Sequence, residues 1–212
     1  MASISDKKLL ITPHYLPGTS YLAYIYAHPT ICLEVCHFYE KQTYQNRCHI
    51  LTSQGVNKLI VPIQHTGKKQ YYKDVKADFS MPWQVKQQRA LSTAYGKAPY
   101  YHALTDLLFP ILERKHPFLL DLSLQMLEAI LHFLQLPREI TMTQSYVKPI
   151  PPDTLDVREL LHPKKKNLEV PLYAPVYHHL FEHPFVPNLS VVDLLFCEGP
   201  HAKELFTLQS QV

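Results

Sequence analysis

Proline constrains this chain more than any other residue, with 18 prolines against 5 glycines. A proline has no N–H to give a ladder or a helix, and it drives the residue before it out of the helical region. The chain is therefore cut into short segments with stiff connections, and Gly-rich phosphate loops are not expected. Pro13 stops the apolar run Lys8–Thr12 (KLLIT), which reads as a short buried strand. His14-Tyr15-Leu16-Pro17-Gly18 follows as a loop, and Thr19 or Ser20 is placed to cap a helix through Ala27. Tyr21, Leu22, Ile25 and Tyr26 have helical spacing there, and His28-Pro29 ends it. Thr30–Val35 (TICLEV) is β-rich and reads as a second strand. Strand, loop, helix and strand in this order predict a βαβ unit with a parallel pair.

Downstream, Asn46–Thr52 and Asn57–Ile63 bracket Ser53-Gln54-Gly55-Val56 as a hairpin, with Pro62 at a strand end or edge. Lys68-Lys69 and Tyr71-Tyr72 make a basic, aromatic connector, and Asp74–Phe79 alternates like an exposed strand. Helices follow over Met81–Tyr95, between Pro82 and Gly96, then over Tyr100–Leu112 and Leu119–Leu136. The last carries a broad apolar face made by Leu120, Leu124, Leu127, Ile130, Leu131 and Leu134. Ile140–Thr143 reads as a strand, Tyr146–Leu172 as a long surface loop with lysines at 164–166, and Ser190 as the cap of a helix ended by Gly199. The fold class is α/β (mixed α+β): an N-terminal βαβ and hairpin sheet, a helical middle, and a C-terminal helix that docks back.

An apolar fraction of 46% supplies a sizeable core, and a net charge of +3 with 13 His falls short of a nucleic-acid footprint. The N-terminal MASISDKKLLITP has no apolar h-region, and no stretch approaches a membrane span. Four cysteines without framework spacing imply reduced thiols, so the expected location is cytoplasmic. No sequence feature specifies a cofactor or an oligomeric state.

Between Leu33 and Cys48 lies LEVCHFYEKQTYQNRC, a run dense in groups that bind ligands, with no Gly or Pro to mark a turn. Glu34 supplies an acid, Arg47 a guanidinium, Lys41 a point charge, and Gln42 and Asn46 amides, while Tyr39 and Tyr44 offer flat faces. The same composition also describes a salt-bridged connector, and the residues alone leave both readings open. His14 lies just past the first strand, where open α/β sheets bind ligands, and a helix N-terminus near Thr19–Ser20 would favour an anion. Its alternative is a histidine that only packs in a proline loop.

Metal and thiol chemistry find less support. Cys32, Cys36, His37, Cys48 and His49 lack zinc-knuckle spacing, and buried cysteines usually act as small hydrophobes, so no metal is expected. His178, His179 and His183 lack the H-E-x-x-H arrangement, with Glu182 mis-spaced, and read as a surface cluster. Nothing marks a cysteine as activated, and neither G-x-S-x-G nor a P-loop occurs.

The stretch FYEKQTYQNRCHI resembles the WbqC-like protein family in its Bacteroidetes-type form, through Tyr39, Lys41, Gln42, Thr43, Tyr44, Asn46, Arg47 and Cys48. Tyr15-Leu16-Pro17, Leu59–Ile63, Trp83, Ala94–Tyr100 and the block 185–196 (FVPNLSVVDLLF) are similar to the family pattern in the same order. The resemblance runs from about Leu9 to Leu205 and implies a single domain over 1–212: sheet-rich 1–80, helix-rich 81–136, and a proline-rich return with a C-terminal helix over 137–212. Three departures stand out: His37 replaces a second acid, Gln87-Gln88 a His-Trp pair, and Tyr177-His178-His179 a Y-x-Q.

The family is associated with O-antigen and other surface-polysaccharide gene clusters. The resemblance implies a small-molecule ligand such as a nucleotide-linked sugar, and acyl or aminoacyl transfer to an activated amino sugar. The alternative is a non-catalytic binding or scaffold protein of the same pathway. In the enzymatic reading Glu34 or His14 acts as base, Lys41 and Arg47 hold an anionic group, and Gln42 and Asn46 orient hydroxyls or an oxyanion.

Overall fold

The structure, a computed structural model, describes residues 6–162, 176–181, 184 and 186–208. Its centre is a parallel four-stranded sheet. β1 (Lys8–Ile11) pairs with β2 (Thr30–Leu33), β2 with β5 (Glu139–Met142), and β1 on its other side with β6 (Thr154–Asp156). The order is thus β5-β2-β1-β6. Leu9, Leu10 and Ile11 in β1, and Ile31, Cys32 and Leu33 in β2, are all buried, as central parallel strands require. The predicted βαβ is present, its connection α1 (Thr19–Ala27). β3 (Arg47–Thr52) and β4 (Gly55–Ile60) form a separate antiparallel hairpin. Only Ser53-Gln54 separates the strands, and Gly55 follows at φ +98°, so β4 begins two residues earlier than the pattern predicts.

Two further predictions are corrected. Asp74–Phe79 is not a strand: Tyr72–Asp74 is one turn of 3₁₀ helix, and beyond it single bridges join Ala77 to Ile63 and Lys76 to Phe118. The alternation that suggested a strand is real in burial, with Val75 and Ala77 inside, but no neighbour runs alongside for more than one pair. The loop expected over Tyr146–Leu172 contains β6, whose three residues are held by their pairing with β1. Residues 163–172 of that loop, with the lysines, lie outside the described residues.

The helical middle comprises α2 (Trp83–Tyr95), α3 (Tyr101–Glu113, with Pro110 inside it) and α4 (Leu119–Phe133). α5 (Val191–Glu198) and α6 (Ala202–Leu208) return and pack on α1. That cover explains why every α1 residue from Thr19 to Ile25 is buried, instead of one stripe. Among the described residues no helix is long and apolar enough to cross a membrane.

The start of α1 differs from the local expectation, whereas Gly96, Ser190 and Gly199 hold the cap positions expected of them. Neither Thr19 nor Ser20 caps α1, because both already lie within the helix, and Gly18 is its N-cap. Asn188 Oδ1 accepts the Ser20 N–H at 3.2 Å and the Leu189 carbonyl accepts that of Thr19 at 3.0 Å. Ser190 takes the N-cap position of α5 as expected, but its hydroxyl donates to the Leu16 carbonyl at 2.8 Å instead of to its own helix, while the Val191 N–H donates to the Pro17 carbonyl at 2.7 Å. Residues 188–191 thus tie the start of α5 to that of α1, with Asn188 at a left-handed φ of +54° that asparagine tolerates. A Cβ on Gly18 would lie 2.5 Å from Asn188 Oδ1, so any larger residue at this crossing must push the capping carboxamide aside.

Asn188→Ala removes the cap and the residue suited to the left-handed position, and should cost about 1–2 kcal/mol in urea unfolding. Asn188→Gly, which keeps the backbone freedom, should recover part of that loss. Unchanged midpoints for both variants would show that the clamp contributes nothing.

Candidate functional site

A cleft of about 630 Å³ opens at the carboxyl edge of the parallel sheet. Its lining comes from the segments that follow the strands: Thr12 and His14 after β1, Cys36 to Glu40 after β2, Tyr146 after β5, and Arg158 to His162 after β6. From β1 the chain builds outward through β2 to β5, then returns to add β6 on the opposite side. Such a reversal leaves a crevice between the diverging connections, the usual ligand position in an open parallel sheet.

Glu34 holds this edge together. The residue is fully buried, and its two carboxylate oxygens accept four hydrogen bonds. Oε1 takes the Cys36 N–H at 2.9 Å and the Thr143 hydroxyl at 2.7 Å; Oε2 takes the Val147 N–H at 2.9 Å and Arg158 Nη1 at 3.0 Å. Removing a carboxylate from water is costly, and only this density of donors makes the position tolerable. Arg158 also forks onto Asp156, Nε to Oδ1 at 2.9 Å and Nη2 to Oδ2 at 2.8 Å. Burial would raise the Asp156 carboxyl, but the Arg158 hydrogen bonds outweigh it and hold it below its ordinary value. The guanidinium carbon lies 4.6 Å from the centre of the Tyr146 ring. Each of these contacts fixes a part of the cleft wall.

Two imidazoles line the same space. His37 Nδ1 lies 2.8 Å from the Glu34 carbonyl and Nε2 lies 2.9 Å from the Gln45 amide nitrogen. The first contact requires Nδ1–H as donor, which leaves Nε2 to accept from Gln45. The ring stacks on Tyr72 at 5.4 Å, and burial lowers its pKa despite the nearby carbonyl and carboxylates. His14 is buried against Tyr21 and Tyr44, with centroids at 4.7 and 5.6 Å. Burial first, then the neighbouring His37 and His162, push its pKa down to about 3. Both rings therefore sit in the cleft as neutral lone-pair acceptors near neutral pH.

The structure sorts His14 and the residues singled out in 34–47. His14 and Tyr39 line the cleft, and burial pushes the Tyr39 phenol up to about 12 even with Arg47 near. Glu34 lies behind the lining with its acceptor positions filled, so the geometry makes it an anchor and leaves it no open oxygen with which to act as a base. Lys41 and Gln42 are exposed on a turn outside the lining, Gln42 at φ +64°. Tyr44 packs behind His14 and edge-on to His49. Asn46 Nδ2 donates to the Val61 carbonyl at 2.8 Å, while its own carbonyl accepts the Val61 N–H, so it clamps the hairpin. Arg47 is the first β3 residue, opposite Ile60, and its Nε is buried without a hydrogen-bond partner.

The helix N-terminus predicted to favour an anion is closed, because Asn188 and Leu189 occupy its donors. Phe38, Tyr146, Arg158 and His162 line the cleft without having been singled out from the sequence, and Lys69 and Tyr71, read there only as a basic, aromatic connector, line it too. For Arg158 the sequence held no local signal: Thr154-Leu155-Asp156 is too short to show periodicity, and only its pairing with β1 places Arg158 at the carboxyl edge of the sheet.

The family departures at Gln87 and Gln88 lie outside the cleft lining. Gln87 accepts from the Tyr15 hydroxyl at 2.6 Å and donates to the Ile60 carbonyl at 2.9 Å; Gln88 donates to Glu113. The supposed surface histidine cluster is also corrected. His179 is buried on Asp193 at 3.0 Å beside Tyr177, His178 is exposed, and Glu182 and His183 lie outside the described residues. All four cysteines are free thiols, and among the described residues no three His, Cys, Asp or Glu side chains are grouped to ligate an ion.

The sequence model of the WbqC-like protein family matches residues 12–160, from the end of β1 to just beyond β6, and the chain belongs to that family. It is similar to the uncharacterized protein Rv1507c of Mycobacterium tuberculosis, 28% identical over 142 residues, which make up 66% of this chain and 61% of that protein. The chain thus spans less than two thirds of the length of that relative. No solved structure matches it.

His14 gives the site a pH signature. Its ordinary pKa of 6.5 falls to about 3 on folding, so between these values the unfolded chain binds the extra proton and acid favours unfolding. The stability is fully present above pH 6.5 and is lost progressively toward pH 3, amounting to roughly 2 kcal/mol at pH 5. Urea unfolding of the wild type should weaken more between pH 7 and pH 5 than that of His14→Gln, by about that amount. Equal losses would show that His14 is not held neutral by burial.

Proposed function

We propose that this WbqC-like protein binds a nucleotide-linked amino sugar in the cleft and transfers an acyl or aminoacyl group to its amine, as a cytoplasmic step of surface-polysaccharide (O-antigen-like) biosynthesis. The observation that carries this reading is a cleft with charges of both signs around two neutral imidazoles. Lys69 and Arg158 stand in the lining with Glu40 and Glu159. A phosphate-linked amino sugar is likewise anionic at one end and cationic at the other. Family membership supports the pathway, and a ligand position at the carboxyl edge of the sheet supports a small-molecule substrate.

In this reading Lys69 and the Arg158 N–H groups that remain free of carboxylates take the phosphate. Tyr39 contacts the sugar, with Arg47 behind it. Lys41 and Gln42 reach ligand only from the exposed turn, and Tyr44 and Asn46 act by holding His14 and the hairpin in place. The bound ammonium first gives up a proton to solvent; the free amine nitrogen then attacks the donor carbonyl carbon, the C–N bond forms, and the bond from that carbon to the leaving group breaks. His14 takes the proton released by nitrogen. A ring whose pKa is near 3 cannot retain that proton, so it passes to the departing group and the imidazole returns neutral.

The same low pKa favours a second reading, a non-catalytic binding or scaffold protein of the pathway, since so weak a base contributes little to proton transfer. Calorimetric titration with a UDP-linked 4-amino sugar separates the two. The wild type should bind, and Lys69→Ala should bind about tenfold more weakly, as expected for loss of one charge-assisted contact. With an acyl donor supplied, His14→Gln should keep its affinity and lose transfer by about 10²-fold or more. Binding without transfer in the wild type supports the scaffold reading. Absence of binding to any nucleotide-linked sugar overturns both.

A further inference from the structure

Among the described residues only three phenylalanine, tyrosine or tryptophan side chains are exposed: Phe38 at 47%, Tyr71 at 45% and Tyr146 at 49%. All three line the cleft. Large rings are normally buried, and a chain that exposes three of them and gathers them at one opening presents a surface suited to another ring. Phe38 and Tyr71 are held to each other, with centroids 4.7 Å apart and planes 12° from parallel. Their backbones are joined by an antiparallel bridge, and the flanking bonds Tyr39 N–H to Gln70 and Tyr72 N–H to His37, both 2.9 Å, keep the pair in register. The platform is therefore rigid before any ligand arrives.

Each exposed ring also carries a cation. Lys69 Nζ lies 5.7 Å from the Phe38 centroid, Lys73 Nζ lies 5.9 Å from that of Tyr71, and the Arg158 guanidinium lies over Tyr146. Arg158 is fixed by Glu34 and Asp156, whereas Lys69 and Lys73 are exposed side chains on flexible stems. A lysine ammonium is held over an exposed ring only weakly, so a planar ligand can take its place on the ring face while the ammonium moves to the ligand's phosphate.

We propose that the Phe38–Tyr71 pair is the nucleobase platform of this cleft, with Lys69, which lines the cleft beside it, taking the phosphate attached to that base. The inference rests on the nucleotide-linked ligand proposed above and assigns the end of it that the aromatic pair reads. A flat π face with phosphates one ribose away suits an aromatic pair flanked by lysines, and stacking needs no hydrogen-bond readout of the base.

Three probes separate base, phosphate and sugar ring: UMP, ribose 5-phosphate (the same ribose and phosphate without the base) and glucose 1-phosphate. Titrated calorimetrically into the wild-type chain, UMP should bind about tenfold or more tighter than ribose 5-phosphate. Phe38→Ala and Tyr71→Ala should remove that advantage and leave ribose 5-phosphate unchanged, while Tyr71→Phe keeps it. Independently of any variant, NOEs should connect the uracil H5 and H6 of bound UMP to the ring protons of Phe38 or of Tyr71, whichever ring's outer face the base covers.

Equal affinity for UMP and ribose 5-phosphate, or NOEs to other rings only, overturns the platform. A matching loss for glucose 1-phosphate in Phe38→Ala also overturns it, because the pair would then read a sugar ring. If the UDP-linked amino sugar binds while UMP gains nothing from its base, the functional reading survives and the platform alone fails. If UMP shows the predicted pattern but no nucleotide-linked sugar binds, the platform stands and the amino-sugar reading fails.

Discussion

The buried carboxylate of Glu34 is the constraint on which the rest of this edge depends. It sits immediately after β2 and receives donors from its own segment, from Thr143 and Val147 beyond β5, and from Arg158 beyond β6. The connections after three strands of one sheet are thereby tied to two oxygens. A single charge with four donors is a demanding arrangement, because loss of any one partner leaves a polar group buried without compensation. The walls of the cleft inherit that rigidity: His37 hangs from the Glu34 carbonyl, and Arg158 is aimed over Tyr146.

A comparable knot secures the C-terminal return. Asp193 on α5 is buried and accepts from the hydroxyls of Tyr95 and Tyr177 and from His179. This gives a physical account of one departure from the family pattern. At the position of the family's glutamine, the Nδ1–H of His179 donates to Asp193 at 3.0 Å, so this residue is a hydrogen-bond donor of the knot. The Gln87 departure is similar in kind, bridging the Tyr15 hydroxyl and the Ile60 carbonyl beneath the sheet. Both changes concern packing between elements and leave the cleft lining intact.

What was legible in the sequence was what short-range pattern decides. Continuous apolar runs bounded by proline gave β1 and β2, helical spacing gave α1 to α4, and the β-branched run near Ile140 gave β5. β6 escaped because three residues carry no periodicity, and only their pairing with Lys8–Leu10 makes them a strand. The cap of α1 escaped for the same reason, since Asn188 serves a helix 168 residues away. At the site, His14 and Tyr39 were legible from their position just past or between strands. Phe38, Tyr71 and Arg158 were not, because segments from three parts of the chain bring them together. The stretch 34–47 was rich in polar groups for two purposes at once: Glu34 and Asn46 satisfy buried backbone, and His37 and Tyr39 face the cleft.

The central claim is that this stretch is a braced wall of a binding cleft and that Glu34 is the brace. Amide hydrogen exchange on Glu34→Gln, which keeps shape and removes charge, tests it most directly. The N–H groups of Cys36 and Val147 should exchange about tenfold faster or more, corresponding to roughly 1.4 kcal/mol of lost local protection. Those of Ile50 and Leu59 in the β3–β4 hairpin should keep their protection. Unaltered exchange at Cys36 and Val147, or an equal rise throughout the chain, would contradict the account.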